Sequence, residues 1–370
     1  MQSYDVIVLG AGINGCGVAE NLARQGKQVL LLDKNGVGSG TSSKSSRLIH
    51  GGLRYLETAQ IHLVYEALHD RQRLVEKYPD LVHYERFILP IYKSSPRPGW
   101  MIRIGLWMYD ILSGSRSAGR SRKESMEAFL ERFPAFSENG LRSVLSYVDA
   151  KTHDRELTRR VADDFQEFGG TIIVHDDIES IDWDRSGFVV HSAAGEFQAP
   201  LLINATGPWM DEVNEAYHFP ARYQIRKVSG IHLIFDGVMV PNLMFMQTRE
   251  KRIFFIIPEP ENDQTILGTT EREENCEMDE VEAAEADIQY LLDQVNVYLK
   301  TDHQFQREDV RDIYIGVRPL VRKKGNMSDV SREYKLDVHQ KGESKLIHIF
   351  GGKLTTYLSL AEKVAKTILK

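Results

Sequence analysis

The sequence predicts an α/β protein that opens with a dinucleotide-binding βαβ unit and carries a separate sheet of longer strands further along. Three observations predict this. Gly10-x-Gly12-x-x-Gly15 stands directly between a strand-like run and a helical pattern. Short buried-looking strands recur far from it, at Thr171 to Val174 and Leu201 to Asn204. Longer strand patterns occupy Val228 to Phe235 and Arg252 to Ile257.

The opening unit reads as follows. Tyr4 to Leu9 is apolar and β-branched, as a buried parallel strand should be. After the glycines, Cys16, Ala19, Leu22 and Ala23 share one helix face, and Gly26 closes the helix. Gln28 to Leu32 is the second strand and ends at Asp33. Gly10 permits the tight turn, Gly12 lets the backbone approach a pyrophosphate, and Gly15 lets helix and strand pack closely. The helix N-terminus turns its unpaired N–H groups toward the phosphates. A carboxylate at Asp33 accepts from ribose hydroxyls and disfavours a 2′-phosphate, which leaves FAD or NAD and demotes NADP.

Later elements follow the same reasoning. Phe188 to His191 and Glu196 to Ala199 form a small hairpin around Gly195. Asp263 to Thr270 reads as a further strand. Met278 to Leu299 reads as one helix, with Val281, Ile288, Leu291, Leu292, Val295 and Leu299 on one side. Ser113 to Lys123 is the one loop-like, charge-rich break. Repeats and low-complexity tracts are not evident.

Composition narrows the function. At 370 residues and 42% hydrophobic content the chain can bury a large core, in two or three domains or as a cofactor domain with an insertion. With 46 Lys+Arg against 53 Asp+Glu the net charge is -7, which does not suit general nucleic-acid binding. An anionic substrate therefore needs a local cluster of cations. Two cysteines, Cys16 and Cys276, without a C-x-x-C pair argue against a disulfide framework and a cysteine zinc site, and no metal site is expected. A reducing compartment fits, a signal peptide is not expected, and no run is apolar for long enough to span a bilayer.

The residues after Asp33 separate FAD from NAD. Gly38 to Ser46 (GSGTSSKSS) is too small and polar for a core helix and suits donors along an extended cofactor. Gly51 and Gly52 in the run that follows suggest a flat ring lying against the backbone.

Several longer motifs carry a resemblance. Thr41-Ser42-Ser43, Leu48 to Glu57 (LIHGGLRYLE), Asn204 to Trp209 (NATGPW), Gly316 to Leu320 (GVRPL) and Phe350 to Tyr357 (FGGKLTTY) resemble, in order and spacing, the FAD-dependent glycerol-3-phosphate dehydrogenases. Met101 to Leu106 and Met108 to Asp110 are similar too, so the resemblance covers essentially the whole chain. It implies an FAD domain of the glutathione-reductase/D-amino-acid-oxidase type, discontinuous over residues 1–80, 145–215 and 330–370. A mostly antiparallel substrate domain would be inserted over 81–144 and 216–329. The family's C-terminal helical domain is expected to be missing, since the sequence stops at Lys370. Non-covalent FAD would be contacted by Gly10, Gly12, Ile13, Asn14, Gly15, Asp33, Lys34, Thr41, Ser42, Ser43, Ser46, Leu48, His50, Gly51, Gly52 and Leu53. Ile178, Ala205, Thr206, Gly207, Trp209, Gly351, Gly352, Lys353, Leu354, Thr355 and Thr356 complete the set.

The resemblance also implies the substrate pair sn-glycerol 3-phosphate and dihydroxyacetone phosphate. Arg suits a phosphate because its planar fork makes bidentate, charge-assisted bonds. Arg54, Arg318, Arg332 and Lys353 lie in the matched motifs, with Tyr55 as a further contact. Oxidation needs a base for the C2 hydroxyl and an acceptor for the C2 hydride. Among 12 histidines, His232 aligns with a family histidine and is the first choice as base; His50 is the reserve. Arg318 would stabilise the developing alkoxide.

The resemblance leaves the electron acceptor between quinone, as in membrane-associated dehydrogenases, and oxygen, as in glycerol-3-phosphate oxidases. Trp100, Met101, Ile104, Trp107, Met108, Ile111 and Leu112 form an apolar helix face, with Arg97, Arg103, Arg116, Arg120, Arg122 and Lys123 nearby. Such a helix either lies in an anionic membrane interface or packs on the substrate domain. The expectation is quinone and a cytoplasmic protein, peripheral on the inner membrane, with a homodimer as a further possibility. The competing classes are an amine or amino-acid oxidase of the same fold and a non-catalytic flavoprotein.

Overall fold

The computed structural model describes residues 1–114, 118–323, 330–331 and 333–368. Among these, the strands form three sheets. A six-stranded sheet runs in the order Lys335–Lys341, Ser344–Phe350, Leu201–Asn204, Val6–Leu9, Val29–Asp33, Thr171–Val174. Its last five strands are parallel, and only Lys335–Lys341 is antiparallel. Val6–Leu9 and Leu201–Asn204 are buried throughout because one face of the sheet packs against helices and the other against the strands Phe188–Ser192 and Gly195–Ala199. Helix α1 (Ile13–Arg24) and the C-terminal helix Tyr357–Ile368 share the apolar core on one face. Chain ends more than 300 residues apart therefore meet in one unit. Thr171–Val174 is half-buried, unlike the fully buried strand expected, because it pairs on one side only.

An eleven-stranded sheet makes the second unit. Two long antiparallel pairs frame it: Tyr223–Asp236 with Val310–Lys323, and Val82–Tyr92 with Leu141–Thr152. Gln264–Gly268, Ile253–Glu259 and Met244–Gln247 bridge them. The strand Leu141–Thr152 runs through the expected boundary at 145, and Leu48–Ile49 pairs with it, so the N-terminal loop is stitched into the large sheet. Gln2–Ser3, Gly195–Ala199, Phe188–Ser192 and Ile178–Trp183 form a small third sheet that contains the expected hairpin.

The helix expected over Met278 to Leu299 is shorter. It spans Glu285–Asn296, preceded by a single 3-10 turn at Met278–Glu280. Arg272 explains the break: its guanidinium donates to the Glu282 carbonyl at 2.6 Å and pairs with Asp287, which holds the intervening backbone extended. Helix α2 (Ile61–Lys77) and helix α3 (Gly99–Ser113) pack beside the large sheet. α3 buries Ile102, Leu106, Tyr109 and Ser113 and leaves Trp100, Met101, Ile104, Trp107 and Ile111 exposed. Arg116 and Arg332 lie outside the described residues.

Candidate active site

One cavity of about 930 Å³ lies where the two large sheets meet. Its first wall is the opening βαβ unit. Gly10 has φ +98°, and a Cβ there would stand 2.7 Å from the Ala205 carbonyl oxygen. The α1 N-terminus carries no side-chain cap of its own; Ser42 Oγ accepts from the Ile13 N–H at 2.9 Å. Asp33 is fixed by three backbone donors: Ala11 at 2.7 Å, and Asn35 and Gly36 at 2.8 Å each. A carboxylate held this way keeps its orientation and retains acceptor capacity for hydroxyls.

Most of the expected cofactor residues line this cavity: Gly10, Gly12, Ile13, Asn14, Asp33, Lys34, Thr41, Ser42, Ser46, Leu48, His50, Gly52, Leu53, Ile178, Ala205, Thr206, Gly207, Trp209, Gly351, Gly352, Lys353, Leu354 and Thr355. Four do not. A Cβ on Gly15 would stand 1.9 Å from the Gly10 carbonyl oxygen, so Gly15 serves helix–strand packing. The Ser43 hydroxyl turns back to the Gly40 carbonyl at 3.2 Å. The Gly51 N–H points to Tyr109, and Thr356 is buried at the start of the last helix.

Buried polar atoms on the wall fit a polar, extended ligand. Asn14 Nδ2 donates to the Gly351 carbonyl at 3.2 Å and ties both chain ends together, while Asn14 Oδ1 has no partner among the described residues. Trp209 Nε1 is likewise buried and unpartnered there, with Gly40 packed so closely that a Cβ would stand 2.8 Å from the indole. Unpaired buried polar atoms are costly unless a ligand satisfies them.

The opposite wall is the large sheet, and register assembles it. His232 pairs with Tyr314 on one side and Gly268 on the other. Val228 pairs with Arg318. Because side chains alternate along a strand, His232, Tyr314 and Arg318 emerge on one face. Tyr314 stacks on the imidazole, and Gly268 leaves room for it. His232 Nε2 and the Ser46 hydroxyl share a hydrogen bond of 2.8 Å, and Nδ1 has no partner among the described residues. Burial, then the Arg318 and Arg47 charges, push the imidazole down to about 3, so it is neutral at physiological pH. His50 is also lowered, mainly by burial and further by Lys353, although Asp149 opposes this.

The cations converge. Arg318 donates to Thr269 Oγ1 at 3.1 Å and the Thr270 carbonyl at 3.3 Å, which aims its guanidinium. Lys353 Nζ lies 4.3 Å from the Tyr55 ring centroid. Arg54 faces Glu271 at 3.9 Å. Arg318, Thr269, Lys353, Tyr55, Arg54 and Glu271 all line the cavity. Sequence reasoning missed Tyr314, Gly268, Glu271 and the role of Ser46 as partner of His232. The strand alternation was readable, but the register that brings these residues together was not.

Residues 5–365 match the family described as FAD dependent oxidoreductase. Over 372 residues the chain is 36% identical to aerobic glycerol-3-phosphate dehydrogenase of Escherichia coli (strain K12), covering 98% of this chain and 72% of that protein. It is also 36% identical to D-erythritol 1-phosphate dehydrogenase of Brucella abortus (strain 2308), covering 98% of this chain and 73% of that one. The fold matches glycerol-3-phosphate dehydrogenase from Bacillus halodurans complexed with FAD, with TM-score 0.77, 24% identity, 99% of this chain and 64% of that chain. L-alpha-glycerophosphate oxidase from Mycoplasma pneumoniae with FAD bound also has TM-score 0.77, at 14% identity, over 100% of this chain and 96% of that chain. With a glycine-lined dinucleotide wall, orphaned donors and acceptors along it, and a match spanning nearly every residue, this chain belongs to the FAD dependent oxidoreductases.

Proposed function

We propose that the chain oxidises sn-glycerol 3-phosphate at its C2 hydroxyl to dihydroxyacetone phosphate. The observation that carries this is the convergence of Arg318, Lys353, Arg54 and a neutral His232 on one cavity in a chain of net charge -7. The relatives named as glycerol-3-phosphate dehydrogenases support the same reading. FAD, when bound, supplies the hydride acceptor. The chain's residues do the rest. Lys353 and Arg54 capture the phosphate. Arg318 stabilises negative charge growing on the C2 oxygen. His232 takes the hydroxyl proton at Nε2, the nitrogen marked by Ser46, and the stacked Tyr314 fixes the ring plane. His50 stands by on the cofactor side. Arg332 lies outside the described residues and is retained as a phosphate contact on the strength of its motif.

The decisive experiment is anaerobic addition of sn-glycerol 3-phosphate to the purified yellow protein. Bleaching of the flavin band supports the proposal, and an unchanged spectrum sinks it. D-Erythritol 1-phosphate belongs in the same panel, because its namesake relative is as similar to this chain as the Escherichia coli one. Non-phosphorylated amines and amino acids test the rival oxidase class.

Quinone is the proposed acceptor, with the protein peripheral on the cytoplasmic face of the inner membrane. The outward apolar face of α3 supports this: Trp100 and Trp107 are 65% and 63% exposed. No described helix is long and apolar enough to cross a membrane. Oxygen consumption with substrate, set against reduction of a short-chain quinone, separates a dehydrogenase from an oxidase.

A further inference from the structure

Behind the cavity wall lies a buried polar cluster that the proposed chemistry does not use. Arg71 and Asp149 form an ion pair at 2.6 Å, 0% and 1% exposed. Arg71 also donates to the Val148 carbonyl at 3.0 Å and to Ser113 Oγ at 2.9 Å. The Tyr109 hydroxyl lies 2.7 Å from the Asp149 carboxylate and accepts the Gly51 N–H at 2.7 Å. Burial and the neighbouring Asp149 hold Tyr109 well above the usual phenol range, so it stays protonated. With one proton to give, it donates to Asp149 and accepts from Gly51.

Building such a cluster costs desolvation, and an apolar core of the same volume is often at least as stable. Its geometry points elsewhere. Gly51 sits between His50 and Gly52, both of which line the cavity. A Cβ on Gly51 would stand 2.5 Å from the Tyr109 oxygen and 2.6 Å from Leu68 Cδ2, so only glycine permits the approach. A trans peptide directs its N–H and C=O oppositely. Pinning the Gly51 N–H on Tyr109 therefore turns the His50 carbonyl away from Tyr109 and fixes the segment's orientation. The left-handed Gly52, φ +71°, follows at once.

We propose that Tyr109 and Asp149, braced by Arg71, are positioning residues for the His50-Gly51-Gly52 segment of the cofactor wall. This rests on the reading of that wall as the flavin site. Tyr109 and Ser113 are four residues apart on the inner face of α3, so the helix with the apolar outer face is hydrogen-bonded to the same network. Asp149 also acts on the His50 imidazole, which places its charge within electrostatic reach of the cavity.

The test compares the wild-type holoenzyme with Tyr109→Phe and Asp149→Asn. The readouts are the flavin midpoint potential, the FAD dissociation constant from fluorescence quenching, kcat against KM, and the thermal midpoint. Tyr109→Phe removes one hydroxyl and leaves the ring. The expected result is retained FAD, a shifted midpoint potential, and kcat lowered roughly tenfold with KM nearly unchanged. A variant with wild-type potential, FAD affinity and kcat, and only a lower thermal midpoint, overturns the inference and leaves the cluster purely structural. If Tyr109→Phe does not fold, Ser113→Ala, which removes only the α3 hydroxyl on Arg71, must shift the potential in the same way or the inference fails. A colourless wild type that stays colourless with added FAD removes the flavin reading itself, an outcome distinct from the others.

Discussion

The Tyr314 ring lies face to face on the imidazole of His232, centroids 4.6 Å apart and planes 11° from parallel. Cross-strand pairing alone produces this, since the two residues are direct partners in the Tyr223–Asp236 and Val310–Lys323 ladder. The stack fixes the plane of the proposed base, and Ser46 fixes its rotation about that plane.

If His232 is the base, His232→Ala lowers kcat by roughly 10²- to 10⁴-fold, the usual range for general-base loss. FAD content, read from the flavin-to-protein absorbance ratio, should stay near wild type. Equal loss of flavin and turnover would make His232 a structural residue. Because the imidazole is pushed down to about 3, it is already deprotonated at pH 5. The wild-type kcat/KM profile should therefore lack an acid limb at the ordinary histidine value, about 6.5.

Gly268 offers a test that leaves the imidazole in the chain. An added Cβ would stand 2.2 Å from His232 Cδ2, too close for any real contact. Gly268→Ala should push the ring off Tyr314 and cost about 1–3 kcal/mol in stability, as overpacking does. Turnover should fall at least tenfold while the midpoint potential of the flavin holds. Unchanged kinetics would show that the ring position does not matter.

Arg318 is held by Thr269 and Thr270, so its fork is aimed before substrate arrives. Arg318→Lys keeps the charge and loses the fork. Charged hydrogen bonds contribute about 1.5–3 kcal/mol each. The expected drop in kcat/KM for glycerol 3-phosphate is roughly 10- to 150-fold, read by steady-state kinetics with a soluble dye acceptor. Full activity in Arg318→Lys would exclude a bidentate role.

Two buried histidines make stability depend on pH. His348 is lowered to about 4 and His232 to about 3, both chiefly by burial. The unfolded chain binds protons near 6.5, so between 6.5 and these values it holds more protons than the folded chain. Stability is thus full above pH 6.5 and falls as pH drops toward 4 and then 3, by at most about 1.4 kcal/mol per pH unit for each group. Denaturant melts at pH 7, 6 and 5 should show this slope. His348→Gln, which keeps a donor for the Pro220 carbonyl, should make it shallower and leave the His232 contribution in place. A flat wild-type profile would contradict the burial argument.

The sequence made the first wall of the site readable because its signals are local. Glycine spacing, the strand before it and Asp33 after it lie within 33 residues, and each has a steric or electrostatic reason. Gly351, Gly352 and Lys353 were reached only through long motifs, since nothing local at residue 350 points to residue 14. The second wall was readable in parts. Strand alternation showed which residues share a face, but not that His232 would pair with Tyr314 or Val228 with Arg318. Register depends on packing across the sheet, which periodicity does not encode. The helix over Met278 to Leu299 was overextended for a related reason: Arg272, which holds the Glu282 carbonyl, comes from outside the helical pattern.

Helix α3 carries the last prediction. Its outer face exposes Trp100, Met101, Ile104, Trp107 and Ile111 at 43–65%, with Arg103 exposed beside them. Arg97, by contrast, is already paired with Glu57 and adds little to a surface charge. Trp100 and Trp107 are seven residues apart and so share a face. Burying a large apolar side chain contributes about 1.5–3 kcal/mol. Replacing both tryptophans, Trp100→Ser with Trp107→Ser, should therefore weaken partition into anionic vesicles by 100-fold or more, since about 1.4 kcal/mol is tenfold. Turnover with a soluble dye should be retained, because neither side chain lines the cavity. Vesicle flotation of wild type and double variant at low and physiological salt measures both terms, as screening weakens only the charged one. A wild type that stays at the bottom of the gradient at low salt removes the membrane surface from the proposed function and leaves α3 a helix whose apolar face has another use.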